Sequence, residues 1–468
     1  MRPLVILAAS TVLLSGCSVE TDPCVSGICE HPTPPSGKAD SFGEPTPWTN
    51  WQRDILSTAL AFDLEKKTAT ARIALAAATR AGASLDVHGI KVSAVSDGDG
   101  NPIAYKLAQG RLDVDLPADG EHTVVVSFTF FEHAGQQGLG AGGETLTWPY
   151  FCGNLFPCKS DPSDGLTFEL ELSGLPEGKQ AVFPAQIPAD GPSYMLAWVT
   201  GEYQSKVLGK TSAGTEVSVY WRPGEESRAL AGTDGLVEVV GWLETNIGPY
   251  TFGSSVGSVS VRWGGGAYGG MEHHPLWHIS DASIDDFYVH AHEAAHGWFG
   301  DGVRLRCWED FVLSEGTVCY LAARAMAAAK GAQVEHEIWE RFRRRLESAV
   351  SWPSYGDGIA WPDTQCNAVD LIEDKLFTSI PYMKGAFFYR AVEQAIGVEA
   401  VTRALATFYK QNAGKAASMR DMVDALKAEA SASAAGDPDA AAAKVEELAR
   451  AWLRSSDVPE LPDLPPEP

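Results

Sequence analysis

Basic residues and long apolar runs are both scarce in this sequence of 468 residues. Lysine and arginine together number 36 against 61 aspartates and glutamates, which gives a formal net charge of −25. A protein this acidic repels nucleic-acid phosphates, so nucleic-acid binding is excluded. After the first residues, no segment approaches the roughly 20 consecutive apolar residues that a transmembrane helix needs. The length, with 45% hydrophobic residues and no internal repeat, predicts about two or three globular domains.

The N-terminus reads as an export signal. The apolar run Leu4 to Leu14 is too short to span a bilayer, so residues 1–17 are predicted to be a signal peptide. The sequence Leu14-Ser15-Gly16-Cys17 resembles a bacterial lipobox, which implies that Cys17 is lipidated and becomes the new N-terminus. An ordinary signal peptide with a chance cysteine is the alternative. We expect an exported bacterial lipoprotein, anchored to a membrane of the cell envelope through Cys17.

Export also permits disulfides among the other cysteines. Two pairs are close enough in sequence to form short bridges, namely Cys24 with Cys29 and Cys152 with Cys158. The three that follow, Cys307, Cys319 and Cys366, leave one thiol unpaired. Spacing alone does not fix the connectivity.

The rest of the chain divides into a strand-rich part and a helix-rich part. Residues 18–47 are poor in large apolar residues and are predicted to be a flexible tether, and residues 462–468 a disordered tail. Over residues 48–209, short runs of β-forming residues alternate with turn residues, which predicts an N-terminal β-sandwich domain. Residues 210–461 are predicted to be mostly helical, because helical periodicity dominates after Glu225. The fold class is α+β.

The predicted strands are Leu56 to Leu64, Thr68 to Leu75, Leu112 to Leu116, Thr123 to Phe130, Leu166 to Leu172, Gln180 to Phe183, Tyr194 to Val199 and Glu216 to Trp221. The predicted helices are Leu230 to Asn246, Asp285 to Gly300, Trp308 to Lys330, Glu335 to Val350, Pro381 to Ile396, Ala400 to Asn412, Met419 to Ala430 and Asp439 to Arg454. The candidate catalytic and metal-binding residues lie mostly in the predicted helices.

The strongest chemical signal is the HExxH motif from His292 to His296. Histidines four residues apart project from the same face of a helix, and two neighbouring imidazoles suit zinc. Glu293 then lies beside the open position of the metal, where it is predicted to act as the general base. A pair of surface histidines on a helix is the alternative for the motif taken alone.

A third protein ligand is needed, because catalytic zinc keeps three protein ligands and one open position. Glu315 is the candidate, with eighteen residues between it and His296. That gap allows the first helix to end and a second helix to come alongside it. Glu315 is surrounded in sequence by apolar residues, so its carboxylate would be costly to bury without a partner such as zinc. We predict one zinc ion held by His292, His296 and Glu315.

These residues and their surroundings resemble the thermolysin-related (gluzincin) zinc aminopeptidases, the family that includes membrane alanyl aminopeptidase and leukotriene-A hydrolase. Four segments carry most of the likeness: Tyr268 to Glu272 resembles the Gly-x-Met-Glu-Asn exopeptidase motif, His292 to Gly300 the zinc helix, Trp308 to Gly316 the helix of the third ligand, and Pro381 to Gly385 the segment of the catalytic tyrosine. Phe156 to Cys158 and the end of the chain near Leu461 are also similar. The likeness spans Trp48 to Leu461 in the right order.

The resemblance implies an N-terminal β-domain, a thermolysin-like catalytic domain and zinc-dependent hydrolysis of peptides from their N-termini. It implies that Tyr382 stabilises the oxyanion and that Glu272 binds the free α-ammonium of the substrate. It also implies substrate binding by the backbone of Gly269, Gly270 and Met271, against which a peptide lies as an extra strand.

Three departures from the family pattern surround the predicted amine site. The asparagine of the exopeptidase motif is His273 here and is followed by His274, and the tryptophan beside the third ligand is replaced within Phe311 and Val312. Where many members have a glutamine, alignment on Cys152 and Cys158 places Trp148 or its neighbours.

These departures leave three functions open. The first is an aminopeptidase, the second a zinc peptidase with altered, non-amino-terminal specificity, and the third a non-catalytic surface binding protein on a protease fold. The other nearby histidines, including His278 and His290, are predicted to have surface or hydrogen-bonding roles, with a second metal or the substrate as the alternative.

Overall fold

The structure is a computed structural model that describes residues 42–135, 137–263, 269–351, 356–366 and 368–465. The predicted signal peptide, the lipidation site Cys17 and the pair Cys24 and Cys29 lie outside the described residues. Tyr268 of the exopeptidase motif lies outside them as well. Within the described part of the chain, none of the helices has both the length and the apolar character needed to cross a membrane.

The N-terminal region is built from strands, as the turn-punctuated sequence predicts. Its strands are β1 (Ile55–Asp63), β2 (Thr68–Leu75), β3 (Ala83–Asp86), β4 (Lys91–Asp97), β5 (Tyr105–Ala108), β6 (Arg111–Val114), β7 (His122–Thr129), β8 (Gly138–Leu139), β9 (Thr145–Leu146), β10 (Gly165–Ser173), β11 (Gln180–Val182), β12 (Gln186–Pro192) and β13 (Val199–Gly201). A six-stranded sheet has the order β12-β10-β1-β2-β7-β4, and a three-stranded sheet the order β3-β6-β5. Alternate side chains of β2 are buried, which is the pattern of a strand with one face on the core.

Both sheets contribute to one hydrophobic core. Leu60 and Ile73 of the six-stranded sheet and Leu85 and Leu112 of the three-stranded sheet belong to the same buried cluster. The predicted N-terminal β-sandwich is confirmed. The predicted strand Tyr194 to Val199 is wrong, because a short 3-10 helix occupies Ser193–Met195 and β13 begins only at Val199.

The second region combines a sheet with helices. Its strands are β14 (Gln204–Lys210), β15 (Glu216–Trp221), β16 (Ser255–Val261), β17 (Gly270–Met271), β18 (Leu276–Ser280), β19 (Arg304–Leu305) and β20 (Ala416–Ala417). Its helices are α1 (Glu226–Gly232), α2 (Leu236–Asn246), α3 (Phe287–Ala295), α4 (Phe311–Lys330), α5 (Ala332–Ser351), α6 (Ser379–Ile396), α7 (Val398–Asn412), α8 (Met419–Ser433) and α9 (Pro438–Leu453). A 3-10 turn at Trp308–Asp310 leads into α4. The α+β fold class is confirmed.

A five-stranded sheet of order β14-β15-β16-β18-β17 underlies the helices. Its members β16, β17 and β18 fall within residues 210–461, which are predicted to be mostly helical, so that prediction is incomplete. β16 pairs in parallel with β15 and with β18, and such doubly paired strands are buried on both faces and give no alternating signal. β14 crosses the predicted domain boundary between residues 209 and 210. The predicted helix Leu230 to Asn246 is two helices, because Gly235 adopts a positive φ of 100° between α1 and α2.

Helices α4 and α6 cross at a pair of glycines. A Cβ built on Gly385 would lie 2.4 Å from the Cα of Gly316, closer than any side chain allows. Gly316 follows Glu315, and Gly385 lies three residues after Tyr382. This close approach of the two backbones brings the third candidate ligand and the candidate catalytic tyrosine into one site.

Among the cysteines that the structure describes, Cys152 is bonded to Cys158 and Cys307 to Cys366, and Cys319 is free and buried. Both predicted terminal segments are held where they are described. Arg111 donates a hydrogen bond to the carbonyl oxygen of Phe42 at 2.8 Å. Phe42 belongs to the predicted flexible tether of residues 18–47, so this part of the tether is held against the N-terminal domain. Gln394 donates a hydrogen bond to the carbonyl oxygen of Asp463 at 3.0 Å. Asp463 belongs to the predicted disordered tail of residues 462–468, so this part of the tail is held against helix α6.

Candidate active site

Helix α3 carries the HExxH motif and presents both histidines to one point. Asp286 caps the helix by accepting a hydrogen bond from the backbone N–H of Tyr288, which satisfies one of its free N-terminal donors. His292 lies in the last turn, and His296 follows directly at the C-cap. The Nε2 atoms of His292 and His296 are 3.3 Å apart, so the four-residue spacing places the two imidazoles side by side.

Glu315 of helix α4 meets this pair. Its Oε2 lies 3.1 Å from Nε2 of His292 and 3.5 Å from Nε2 of His296. All three residues are buried or nearly so, with exposures of 8% for His292, 1% for His296 and 3% for Glu315. The structure therefore brings the three predicted metal ligands together.

The other ring nitrogen of each histidine has its own contacts. Nδ1 of His296 lies 3.1 Å from the carbonyl oxygen of Phe299, an acceptor that requires the hydrogen to be on Nδ1. Nδ1 of His292 faces the phenol of Tyr288 and the thiol of Cys319. A neutral imidazole with its hydrogen on Nδ1 has a free lone pair on Nε2, which is the form that binds a metal.

The charges of the site also fit a divalent cation. Glu272, Glu293, Glu315 and Asp301 are all buried close to His296. Burial acts to lower the pKa of His296, but the Glu315 and Glu272 carboxylates outweigh it and raise that pKa to about 10. For the carboxyl group of Glu293 the effect of burial has the opposite sign, and it raises the pKa well above its ordinary value. A pocket that crowds carboxylates around histidine nitrogens attracts positive charge, and this donor set of two imidazoles and one carboxylate suits zinc.

Another potential ligand group in the described residues is Cys307, Glu309 and Cys366, but its cysteines are joined as a disulfide and offer no thiolate. A third group, formed by Glu272, Glu293 and His296, shares His296 with the first set. Its ligand atoms lie within 4.8 Å of one another, which puts both acids beside the predicted metal position.

The exopeptidase-motif strand β17 lies directly against Glu293. A Cβ built on Gly270 would lie 2.4 Å from Oε1 of Glu293, so only glycine allows this approach. Among the residues that the structure describes, a Cβ on Gly269 would instead meet ordinary contacts, the nearest at 3.6 Å. Met271 and Glu272 follow and are buried, at 3% and 4% exposure. The predicted substrate-binding residues and the predicted base thus share one wall of the site.

Tyr382 of helix α6 completes the constellation. Its ring stacks on His292 with centroids 6.0 Å apart and an interplanar angle of 19°. Burial, followed by the nearby Glu315 and Glu272 carboxylates, raises the pKa of Tyr382 well above its ordinary value. The phenol keeps its hydrogen at neutral pH and can donate a hydrogen bond.

Surface or hydrogen-bonding roles are predicted for the histidines near the motif; they are buried, and His274 and His290 have the hydrogen-bonding role. His274 donates from Nε2 to the carbonyl oxygen of Glu293 at 2.8 Å and accepts at Nδ1 from Tyr250 at 2.9 Å. His290 contacts Ser258 Oγ at 2.8 Å. Burial lowers the pKa of His274 to about 3 and that of His290 to about 4, so both are neutral. His274 is a further site residue, because it anchors the backbone of the HExxH helix, and its sequence position alone does not indicate this role.

Trp148 lies at or next to the position where alignment on the cysteines places the glutamine of the family. Trp148 is 1% exposed and packs its ring against Phe377 at 4.7 Å and Phe311 at 6.1 Å. Phe311 in turn contacts the ring of Tyr382 at 5.8 Å. An aromatic cluster of Trp148, Phe311 and Phe377 therefore lies beside the candidate catalytic tyrosine.

Comparisons with known proteins agree with this geometry. Residues 279–452 match the Peptidase family M1 domain. Leucine aminopeptidase 2 of Neurospora crassa is 26% identical over 275 residues, which cover 53% of this chain and 39% of that protein. The leukotriene A-4 hydrolase homolog of Botryotinia fuckeliana is 27% identical over 281 residues, which cover 52% of this chain and 40% of that protein. This chain spans less than half the length of these curated relatives.

Two solved structures show the same fold. The M1 zinc metallopeptidase from Deinococcus radiodurans superposes with a TM-score of 0.72 at 19% identity, covering 92% of this chain and 99% of that chain. Yeast LTA4 hydrolase superposes with a TM-score of 0.72 at 20% identity, covering 88% of this chain and 69% of that one. At this identity the likeness establishes the fold.

Proposed function

We propose that this chain, a member of the thermolysin-related zinc aminopeptidase family, removes N-terminal residues from peptides by zinc-dependent hydrolysis. One observation carries the proposal: Nε2 of His292, Nε2 of His296 and Oε2 of Glu315 lie within 3.1 to 3.5 Å of one another. Glu272 and Glu293 lie beside them. The three ligands would hold one zinc ion, which when bound supplies Lewis-acid polarisation of a carbonyl oxygen and lowers the pKa of water.

Glu293 is the proton carrier in this proposal. A bound cation would favour the ionised form that burial disfavours, and the Glu293 carboxylate then takes the proton of the attacking water and delivers it to the nitrogen of the departing amine. Gly270 on one side and the backbone contact of His274 on the other hold Glu293 in place. Tyr382 donates its phenol hydrogen to the oxyanion that forms at the scissile carbonyl.

Glu272 gives the reaction its amino-terminal direction. A buried carboxylate pairs strongly with the α-ammonium of a peptide, because the charge-assisted hydrogen bond forms away from water. The edge strand β17, with Gly269, Gly270 and Met271, offers backbone groups to an extended substrate. Only the first residue of a peptide can then reach Glu272 while its carbonyl faces Glu293.

A zinc peptidase with non-amino-terminal specificity is the second candidate. Trp148 favours it, since this buried indole lies where many family members place a glutamine that helps to bind the amine. In that case the aromatic cluster of Trp148, Phe311 and Phe377 would replace polar contacts to the substrate terminus.

The test is hydrolysis of a panel of aminoacyl anilides and their N-acetylated counterparts by the zinc-loaded protein, with and without a chelator. An aminopeptidase cleaves only the free-amine series, and chelator abolishes the cleavage. Equal cleavage of the acetylated series would favour the second candidate.

Two variants sharpen this test. Glu293→Gln should keep zinc and lose activity. Glu393→Gln should keep both, because Glu393 is a partly buried carboxylate of α6 that accepts a hydrogen bond from Tyr320 and lies eleven residues after Tyr382. Zinc bound at one equivalent with no cleavage of any substrate would instead indicate a non-catalytic binding protein.

We also propose that the mature protein is a lipoprotein anchored through Cys17. The support is the lipobox-like sequence that ends the apolar run. Metabolic labelling with a fatty acid should mark the wild-type chain and leave Cys17→Ala unlabelled. Labelling of both chains alike would contradict the anchor.

A further inference from the structure

The two histidines of the HExxH motif are supported by different groups. Nδ1 of His296 has the carbonyl oxygen of Phe299 at 3.1 Å, an acceptor common behind metal-binding histidines. Nδ1 of His292 instead has the phenol oxygen of Tyr288 at 3.4 Å and Sγ of Cys319 at 3.7 Å. The phenol oxygen and Sγ are 3.2 Å apart. Nδ1 of His292, the phenol oxygen of Tyr288 and Sγ of Cys319 are thus in mutual contact.

Tyr288 is fixed from outside this set of contacts. The guanidinium of Arg341 lies over its ring, 4.8 Å from the centroid, and the ring of Phe342 meets it edge-on at 5.4 Å. Arg341 also forms two hydrogen bonds with Asp286, at 3.0 and 2.7 Å, and so ties helix α5 to the first turn of α3. The ring of Tyr288 therefore has little freedom to move, and its phenol oxygen is held beside Nδ1 of His292.

Cys319 is fixed by its helix. It lies four residues after Glu315 on α4, so both side chains project from the same face toward α3. Cys319 is 0% exposed, and it is the one cysteine among the described residues that forms no disulfide. One helix thus supplies a ligand carboxylate and, one turn later, a sulfur to the neighbouring histidine.

We propose that Tyr288 and Cys319 are positioning residues for His292. They keep the hydrogen on Nδ1 and hold the imidazole so that Nε2 points at the metal. This inference rests on the proposed zinc site and adds to it how the first ligand is oriented. A phenol and a thiol are neutral, so His292 is held without the negative charge that a carboxylate partner would bring to a pocket already crowded with acids.

Zinc affinity of the full chain tests the inference, measured by competition with a chromogenic chelator. Tyr288→Phe removes the phenol oxygen and keeps the ring under Arg341. We expect it to weaken zinc binding by about 10- to 100-fold, the usual effect of losing a group that orients a ligand. The matched control is Tyr389→Phe, which removes a buried phenol from its hydrogen bond to Thr317 at 2.8 Å without touching a metal ligand. The control should bind zinc as the wild type does.

Cys319 gives an independent arm. Cys319→Ala should weaken zinc binding, and Cys319→Ser, which restores a hydrogen-bonding group, should recover part of the loss. The double variant Tyr288→Phe, Cys319→Ala should lose less than the product of the two single effects, because both groups act through one nitrogen. The visible spectrum of the cobalt-loaded protein should change in these variants and not in Tyr389→Phe.

The outcomes separate the two proposals. Zinc binding by the wild type, with Tyr288→Phe and Cys319→Ala binding it as tightly as Tyr389→Phe, overturns this inference and leaves the proposed function intact. A wild-type chain that binds no zinc overturns both. Should Tyr288→Phe fail to fold, Cys319→Ala with its Cys319→Ser partner decides the matter by the same measurement.

Discussion

Gly270 offers a direct way to move the proposed general base without altering it. In Gly270→Ala the added Cβ would lie 2.4 Å from Oε1 and 2.6 Å from Cγ of Glu293. Carbon and oxygen atoms in ordinary contact are about 3.5 Å apart, so the Glu293 side chain must retreat by about 1 Å. A misplacement of about 1 Å at a reacting group costs about 100-fold in rate. That factor corresponds to about 2.7 kcal/mol of transition-state stabilisation.

The matched control is the neighbouring glycine. A Cβ on Gly269 would meet Ser283 Oγ at 3.6 Å and the methyl groups of Val289 at 3.6 and 3.7 Å, all ordinary contacts. Gly269→Ala leaves the proposed backbone contacts of Gly269 with the substrate in place, because its added methyl group faces Ser283 and Val289. It should therefore keep nearly full activity on a free-amine aminoacyl anilide, while Gly270→Ala loses about two orders of magnitude in kcat. Both variants should bind zinc and unfold at the wild-type temperature.

Two results would refute this reasoning. If Gly270→Ala were as active as Gly269→Ala, Glu293 would not be confined by β17 as the structure has it. If the loss were confined to KM, the added methyl group would be obstructing the substrate and not displacing the base.

Three further predictions concern other parts of the site and its supports. Tyr382→Phe should lower kcat by about 100- to 1000-fold with KM little changed, because an oxyanion donor acts mainly in the transition state; a change in KM alone would argue against that role. Replacing Cys307 and Cys366 by serine opens a loop with a sequence separation of 59 and should cost about 4 kcal/mol in urea unfolding, and an unchanged midpoint would refute this. Lys384→Met removes an ammonium that donates to the carbonyl oxygens of residues 455–457, at 2.7, 3.3 and 2.8 Å. It should lower the free energy of unfolding by about 1 to 3 kcal/mol, and equal stability would show that these carbonyls find other donors.

The candidate site was the most predictable part of the molecule from sequence. The spacing of His292 and His296 fixes their relation through helix geometry alone, and Glu315 lies among apolar neighbours that leave its carboxylate needing a cation. The roles of Tyr382 and Glu272 came from the family resemblance, because a single tyrosine or glutamate carries no signal of its own. Both nonetheless lie beside the three candidate ligands.

Features set by long-range pairing could not be predicted in this way. β16 is Ser255–Val261, a run of small and β-branched residues whose parallel partners lie in β15 and β18, so no local turn marks it as a strand. Trp148 reaches Phe377 across more than two hundred residues. In the sequence Tyr288 is indistinguishable from a core residue of a helix. Its contact with Cys319 depends on the packing of α4 against α3.

The central claim is that this chain is a zinc aminopeptidase, and a peptide ladder tests it most directly. The zinc-loaded protein is incubated with a defined peptide and, separately, with the same peptide N-acetylated, and the products are followed by mass spectrometry. The account predicts successive loss of single residues from the free N-terminus, no change in the acetylated peptide, and no reaction of either with Glu293→Gln. Internal cleavage, or equal attack on both peptides, would contradict it.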